Sequence, residues 1–96
     1  MKRRFLKEGL DNFEPHNVLE LLLFYTIPQK DTNEIAHALI ERFGTLSDVL
    51  DASFDDLICV PGIKEHSATL LKMIPALSRR YVMEKNRSAA ALSSIE

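Results

Sequence analysis

The sequence contains few residues of three kinds: it has one Cys, three Gly and no Trp among 96 residues. One cysteine excludes an internal disulfide and is typical of a reducing compartment. The longest apolar run, residues 21–25, is far shorter than the roughly 20 residues that span a bilayer. The basic start, residues 1–4, is followed by further charged residues and not by the apolar region of a secretory signal. These absences predict a soluble cytoplasmic protein without a membrane segment.

Residues suited to catalysis or metal binding are also scarce. The histidines are His16, His37 and His66. They form no His-x-His pair and have no cysteine at metal-ligand spacing. Cys59 has apolar neighbours, which predicts a buried core thiol and not a nucleophile. The adjacent acids at 55–56 suit the first turn of a helix, where the dipole favours carboxylates. We therefore predict no enzyme activity, no metal and no cofactor for this chain.

The charge is unevenly distributed along the chain. Residues 1–7 have a net charge of +4, residues 8–60 carry eleven acids and two bases for −9, and residues 61–96 have +3. The total of −2 does not indicate a nucleic-acid-binding protein. Basic ends around an acidic middle are nevertheless compatible with a localised anion-binding face, with an evenly solvated surface as the alternative.

Apolar residues recur at helical spacing, and no segment has the alternation of a strand. The predicted helices cover residues 2–8, 15–25, 31–43, 45–51 and 54–59, with a last helix from residue 64 or 65. Asp31 and Ser53 are predicted N-caps, with Glu34 and Asp56 as capping-box partners. Residues 15–25 are apolar nearly all round, which predicts a helix in the middle of a bundle. The fold class is all-α, a compact bundle of five or six short helices.

The end of the chain is predicted to differ from the rest. In the last helix, 3.6-residue periodicity predicts a core stripe of Leu70, Leu71, Ile74, Leu77 and Tyr81. Pro75 falls on the polar side of that wheel and is predicted to kink or end the helix. Residues 83–96 are small and polar, which predicts a frayed tail or a linker after a folded domain of residues 1–82.

A Pro-Gly pair connects two of the predicted helices, in the stretch "LICVPGIKEHSATLL". Gly62 permits a positive φ and a close approach by another backbone. Ile63 can anchor the turn in the core, and the next helix presents unpaired N–H groups at its start. Together these features predict a site for a phosphate oxygen that reads no base. The alternative is a helix-stop glycine in an ordinary bundle.

The residues around this turn resemble a helix-hairpin-helix DNA-binding motif. The matching residues are Leu57, Val60, Pro61, Gly62, Ile63 and Ala68. The longer stretch "VLELLLFYTIPQKDTNEIAHALIERFGTLSDVLDASFDDLICVPGI" resembles the N-terminal domain of the bacterial RadC-like family, and the resemblance covers residues 3 to about 82. The first half is compatible with a degenerate second hairpin, so that the domain would contain a tandem pair.

This resemblance implies a DNA-binding module in a family whose name is associated with DNA repair. It implies weak, salt-sensitive contacts to double-stranded or branched DNA from Pro61, Gly62, Ile63, Lys64, Ser67, Lys72 and Arg79. It also implies a C-terminal JAB/MPN domain, the family's metallohydrolase-like part, whose His-x-His constellation this chain lacks. Helix-hairpin-helix turns usually have a second glycine two residues after the first, and here that position is Lys64. A lysine could add a charge-assisted phosphate contact.

A second hypothesis is a protein-interaction or scaffold module that retains the hairpin without binding DNA. Lys64 in place of glycine, the following Glu65 and the acidic stretch 8–60 favour it. An exposed apolar patch around Phe5, Phe13 or Tyr81 would support it further. Clustering of the basic residues 2–4 beside the hairpin would support DNA binding.

Overall fold

The computed structural model describes residues 2–27 and 32–95, with side chains up to residue 87. The helices are α1 (Lys2–Glu8), α2 (Pro15–Phe24), α3 (Thr32–Phe43), α4 (Leu46–Asp51), α5 (Phe54–Ile58) and α6 (Glu65–Ile95). The described ranges contain no strand, so the prediction of an all-α bundle is confirmed. Within the same ranges, no helix is both long enough and apolar enough to cross a membrane.

Short polar residues and glycine set the helix ends, as the local sequence predicts. The Ser53 hydroxyl accepts a hydrogen bond from the Asp56 N–H at 3.1 Å and caps α5. Gly44 ends α3 with φ +103°, and its N–H donates to the Ile40 carbonyl at 2.7 Å. The predicted N-cap Asp31 lies outside the described residues, as does the connector of the suggested first hairpin, residues 28–30.

The core lies where α2 and α3 pack side by side and meet α4, α5 and α6. Its largest fully buried side chains are Leu19, Leu23, Leu39, Leu57, Leu71 and Val49. We expected the helix of residues 15–25 to lie in the middle of the bundle, and this expectation is wrong for its last two residues. Phe24 and Tyr25 are 64% and 63% exposed, because α2 ends there at the edge of the bundle and only the Leu19–Leu23 face is covered.

Helix α6 has 31 residues and is about 46 Å long at 1.5 Å per residue. The molecule's longest dimension is 53 Å, so this one helix accounts for most of it. Pro75 lies inside the helix and does not end it. It is half-buried and follows the fully buried Leu71 at i+4, so the prediction that it falls on the polar side is wrong. The helical backbone continues to Ile95, through the segment for which the sequence predicts a frayed tail or a linker. Its role as a linker to a further domain stays a prediction.

The core stripe of α6 differs from the predicted one. Ala68 and Leu71 are fully buried, whereas Leu77 and Tyr81 are 63% and 61% exposed. The periodicity is present, but the bundle covers only the first third of the helix. Periodicity indicates which face of a helix is apolar, and it does not indicate where the neighbouring helices stop.

Candidate nucleic-acid interface

Two consecutive turns carry the chain from α5 to α6. The Val60 N–H donates to the Leu57 carbonyl at 3.1 Å, and the Ile63 N–H donates to the Val60 carbonyl at 3.0 Å. Val60 and Ile63 are each 3% exposed, so both turns are fixed in the core by an apolar side chain. The α5–turn–α6 unit is therefore a helical hairpin whose geometry is set by packing as well as by its backbone.

Gly62 meets two requirements in this hairpin. Its φ of +92° is in the left-handed region that glycine adopts without strain. A Cβ at this position would lie 2.7 Å from Ile35 Cδ1 and 3.0 Å from Ile35 Cγ1. The missing side chain thus allows the turn to pack against α3. The sequence predicts the positive φ, but it contains no signal for the contact with Ile35.

The start of α6 has the features of an anion site. The first helical hydrogen bond runs from the Ala68 N–H to the Lys64 carbonyl at 2.9 Å. The N–H groups of residues 65–67 therefore have no acceptor within the helix, and they lie at the positive end of its dipole. Lys64 is exposed beside them and can reach an anion, while the exposed Glu65 opposes one.

Ser67 has a structural role that the predicted DNA contact does not include. Its side chain is 2% exposed, and its hydroxyl is 2.9 Å from the Thr26 hydroxyl in a hydrogen bond that links α6 to the end of α2. Thr26 Oγ1 also lies 3.3 Å from the Leu23 carbonyl, to which it can donate. The residue as a whole is buried, so the predicted phosphate contact by the Ser67 side chain is not available in this arrangement.

Replacing Ser67 by Ala is expected to destabilise the protein by about 1 kcal/mol, the usual net value of one hydrogen bond. The measurement is the urea dependence of the helical circular dichroism. Ser78→Ala is the matched control, because Ser78 is exposed on the same helix and should change stability by less than about 0.5 kcal/mol. Equal effects of the two changes would contradict the role of the Thr26 contact.

Lys72 and Arg79, the two residues of α6 named as DNA contacts beyond its first turn, have different surroundings. Lys72 is half-buried, and its ammonium group donates to the Ala52 carbonyl at 2.8 Å, just after α4. This contact directs the Lys72 side chain toward the bundle. Arg79 is exposed. It lies about 22 Å from Lys64 along the helix, so the two do not form one compact site.

The surface on either side of the hairpin is mixed in charge. A groove of about 310 Å³ between α3 and the turn is lined by Glu41, Arg42 and Pro61, together with Ala38 and Val60. On the other side, a groove of about 450 Å³ is lined by Phe54, Ile58, Ile63, Lys64 and Glu65. Phe54 and Ile58 are 38% and 41% exposed. The i, i+4 spacing of Phe54 and Ile58 indicates that they share one face of α5, but it does not indicate that this face is exposed.

Other sequence predictions have mixed outcomes. Cys59 is exposed and not buried, because it follows α5 while Leu57 and Val60 occupy the core. His37 is on the surface, and its ring stacks on that of His16 with centroids 4.1 Å apart. Among the residues that the structure describes, no three potential ligands converge as a metal site.

Helix α1, where most of the N-terminal basic residues lie, is tied to its own connector and to α2. Arg4 pairs with Glu8 at 3.2 Å, donates to the Asn12 carbonyl at 3.0 Å and lies 4.4 Å from the ring centroid of Phe13. Lys2 lines a groove with Glu20, Leu21, Phe24 and Thr32. Phe13 is buried beneath Arg4, so it contributes nothing to an exposed apolar patch.

Comparison with known proteins identifies a relative. The chain is 42% identical over 77 residues to a UPF0758 protein of Fusobacterium nucleatum subsp. nucleatum. The match covers 80% of this chain and 33% of that protein, so the chain spans about a third of the relative's length. No protein-family model matches the chain, and no solved structure does so either. UPF0758 is the RadC-like family, and over four-fifths of its length the chain is a homologue of one of its proteins.

Proposed function

We propose that this domain is a non-sequence-specific DNA-binding module that contacts the phosphate backbone through the α5–α6 hairpin. One observation carries the proposal: Gly62 and the exposed Lys64 lie together with the exposed residues 65 and 66, whose N–H groups have no acceptor within the helix. Backbone N–H groups and a lysine can bind a phosphate oxygen without contacting any base. Arg79 and the basic residues 2–4 would contribute weaker contacts.

Binding by such a surface is weak. The chain has a net charge of −2, and Glu65 lies beside the phosphate position. Non-specific affinities at physiological salt are on the order of 10⁻⁴ M, and we expect this domain to bind no more tightly. In a full-length RadC-like protein, the module would help to place a C-terminal JAB/MPN domain on DNA. The domain alone is then not an enzyme, and its proposed location is the cytoplasm.

Fluorescence anisotropy with a labelled DNA duplex tests the charge contribution of Lys64. Lys64→Glu should weaken binding at low salt and lower the slope of log affinity against log salt by about 1, because one phosphate contact is lost. Lys7→Glu makes the same change of charge on the exposed face of α1 and should have a much smaller effect. Equal losses in the two variants would indicate that only net charge matters, and would contradict a site at the hairpin.

The second candidate function is a protein-interaction or scaffold module. It is favoured by large apolar side chains on α6, since Leu77, Tyr81 and Val82 are all more than half exposed. Exposed apolar patches of this kind are typical of surfaces that bind another protein. Unchanged anisotropy of the labelled duplex at low salt, even at millimolar domain concentration, would favour this candidate over DNA binding.

A further inference from the structure

The groove between α5 and the start of α6 combines open apolar surface with a basic group. It is lined by Phe54, Ile58, Ile63, Lys64 and Glu65, and we call it the Phe54 groove. Its volume of about 450 Å³ is within the usual range of small-ligand pockets. Ile63 is 3% exposed and can only form the floor, whereas Phe54 and Ile58 are 38% and 41% exposed. An aromatic and an aliphatic side chain are thus accessible to solvent beside the Lys64 ammonium group.

The position of the Phe54 ring is fixed by the way α5 begins. Ser53 is the N-cap, and its hydroxyl accepts a hydrogen bond from the Asp56 N–H, so that Phe54 is the first helical residue. Ile58 follows at i+4 and lies on the same face of α5. More than half of the Phe54 surface is covered by the protein. A ligand that stacks on the open part therefore orders little that is not already ordered.

The groups in this groove match the parts of an unpaired nucleotide. A nucleobase stacks on an aromatic side chain whatever its sequence, because every base has a π-face. The phosphate of the same nucleotide carries the charge that Lys64 attracts, and the N–H groups of the exposed residues 65 and 66 lie next to that lysine. Glu65 opposes the phosphate, which keeps the contact weak. In a duplex, the faces of a paired base are covered by its stacked neighbours, so the groove suits a single strand.

We propose that the Phe54 groove takes an unpaired base of single-stranded DNA, stacked on Phe54, while Lys64 contacts the adjoining phosphate. This inference rests on the proposed DNA-binding function and names the class of DNA that it recognises. A site that contacted phosphates alone would favour the duplex, because a single strand carries its phosphates at lower charge density. A preference for the single strand therefore distinguishes the groove from a phosphate contact by itself.

Fluorescence anisotropy of the 96-residue chain at low salt tests the inference, with a short labelled oligothymidine and a labelled duplex of the same length. We expect the single strand to bind about fivefold more tightly than the duplex, because only its bases can stack on Phe54. Phe54→Leu keeps an apolar side chain but removes the aromatic face. It should weaken single-strand binding about fivefold and duplex binding less than about twofold. Phe54→Tyr retains an aromatic face and should bind like the parent chain.

Phe5→Leu is the matched control, because Phe5 is 39% exposed on α1 and lies outside the lining of the groove. It should leave the affinity for both DNAs unchanged, and circular dichroism of each variant verifies that it is folded. Equal affinity for single strand and duplex overturns the inference. So does a loss in Phe54→Leu that is the same for both DNAs or is matched by Phe5→Leu. These results leave phosphate binding by the hairpin in place, whereas failure to bind either DNA overturns the proposed function itself.

Discussion

Gly62→Ala is expected to destabilise the protein by about 2–5 kcal/mol. Two costs contribute. The φ of +92° costs a residue with a Cβ about 1–2 kcal/mol, and the new methyl group would lie 2.7 Å from Ile35 Cδ1. Relieving that overlap requires a shift of Ile35 or of the turn, at a cost of about 1–3 kcal/mol. The measurement is the free energy of unfolding in urea.

Gly9→Ala is the matched control for the backbone term. Gly9 has φ +75°, and a Cβ there would meet nothing within 4 Å. It should cost only about 1–2 kcal/mol, from the left-handed backbone alone. In an Ile35→Val background, which removes the Cδ1 atom nearest to the new methyl group, Gly62→Ala should cost less than in the parent chain. An effect of Gly62→Ala no larger than that of Gly9→Ala would contradict the close packing between the turn and α3.

Leu71→Ala is expected to cost about 2–5 kcal/mol, because Leu71 is fully buried at the centre of the core and the lost atoms leave a cavity. A small domain has a total stability of about 5–15 kcal/mol, so this change alone should lower its urea midpoint strongly. Leu71 also packs α6, the second helix of the hairpin, against the core. The loss of stability in Leu71→Ala therefore measures how much this packing stabilises the hairpin.

Leu77→Ala is the control on the same helix. Leu77 is 63% exposed, and its truncation should change the free energy of unfolding by no more than about 0.5 kcal/mol. The contrast between the two leucines distinguishes the structure from the sequence pattern, which places both in one core stripe. Similar losses at both positions would indicate that the distal half of α6 is covered.

Local signals predicted the helix boundaries well because a cap is a local structure. The Ser53 hydroxyl bonds to an N–H three residues away, and Gly44 ends α3 through its own φ, so a window of a few residues contains the cause. The hairpin residues 61–63 were identified in the same way. Their pattern includes the turn glycine and the apolar residue that anchors it.

The errors concern side chains whose roles depend on distant parts of the chain. Lys72 was named as a DNA contact, and the sequence contains no sign that its ammonium group donates to the carbonyl of Ala52, which lies 20 residues earlier. Ser67 bonds to Thr26, 41 residues earlier. Cys59 has apolar neighbours in sequence, yet only Leu57 and Val60 enter the core, while Cys59 itself is exposed. None of these relations is visible in a short window of sequence.

An NMR titration of the 96-residue chain with a short DNA duplex tests the hairpin as a phosphate site most directly. At low salt we expect amide shifts concentrated at residues 62–67, which fade at physiological salt and weaken in Lys64→Glu. The amides of residues 65 and 66, both exposed at the first turn of α6, should shift most. Shifts confined to α1 or to residues 76–87 of α6, or no shifts at low salt, would contradict phosphate binding by the hairpin.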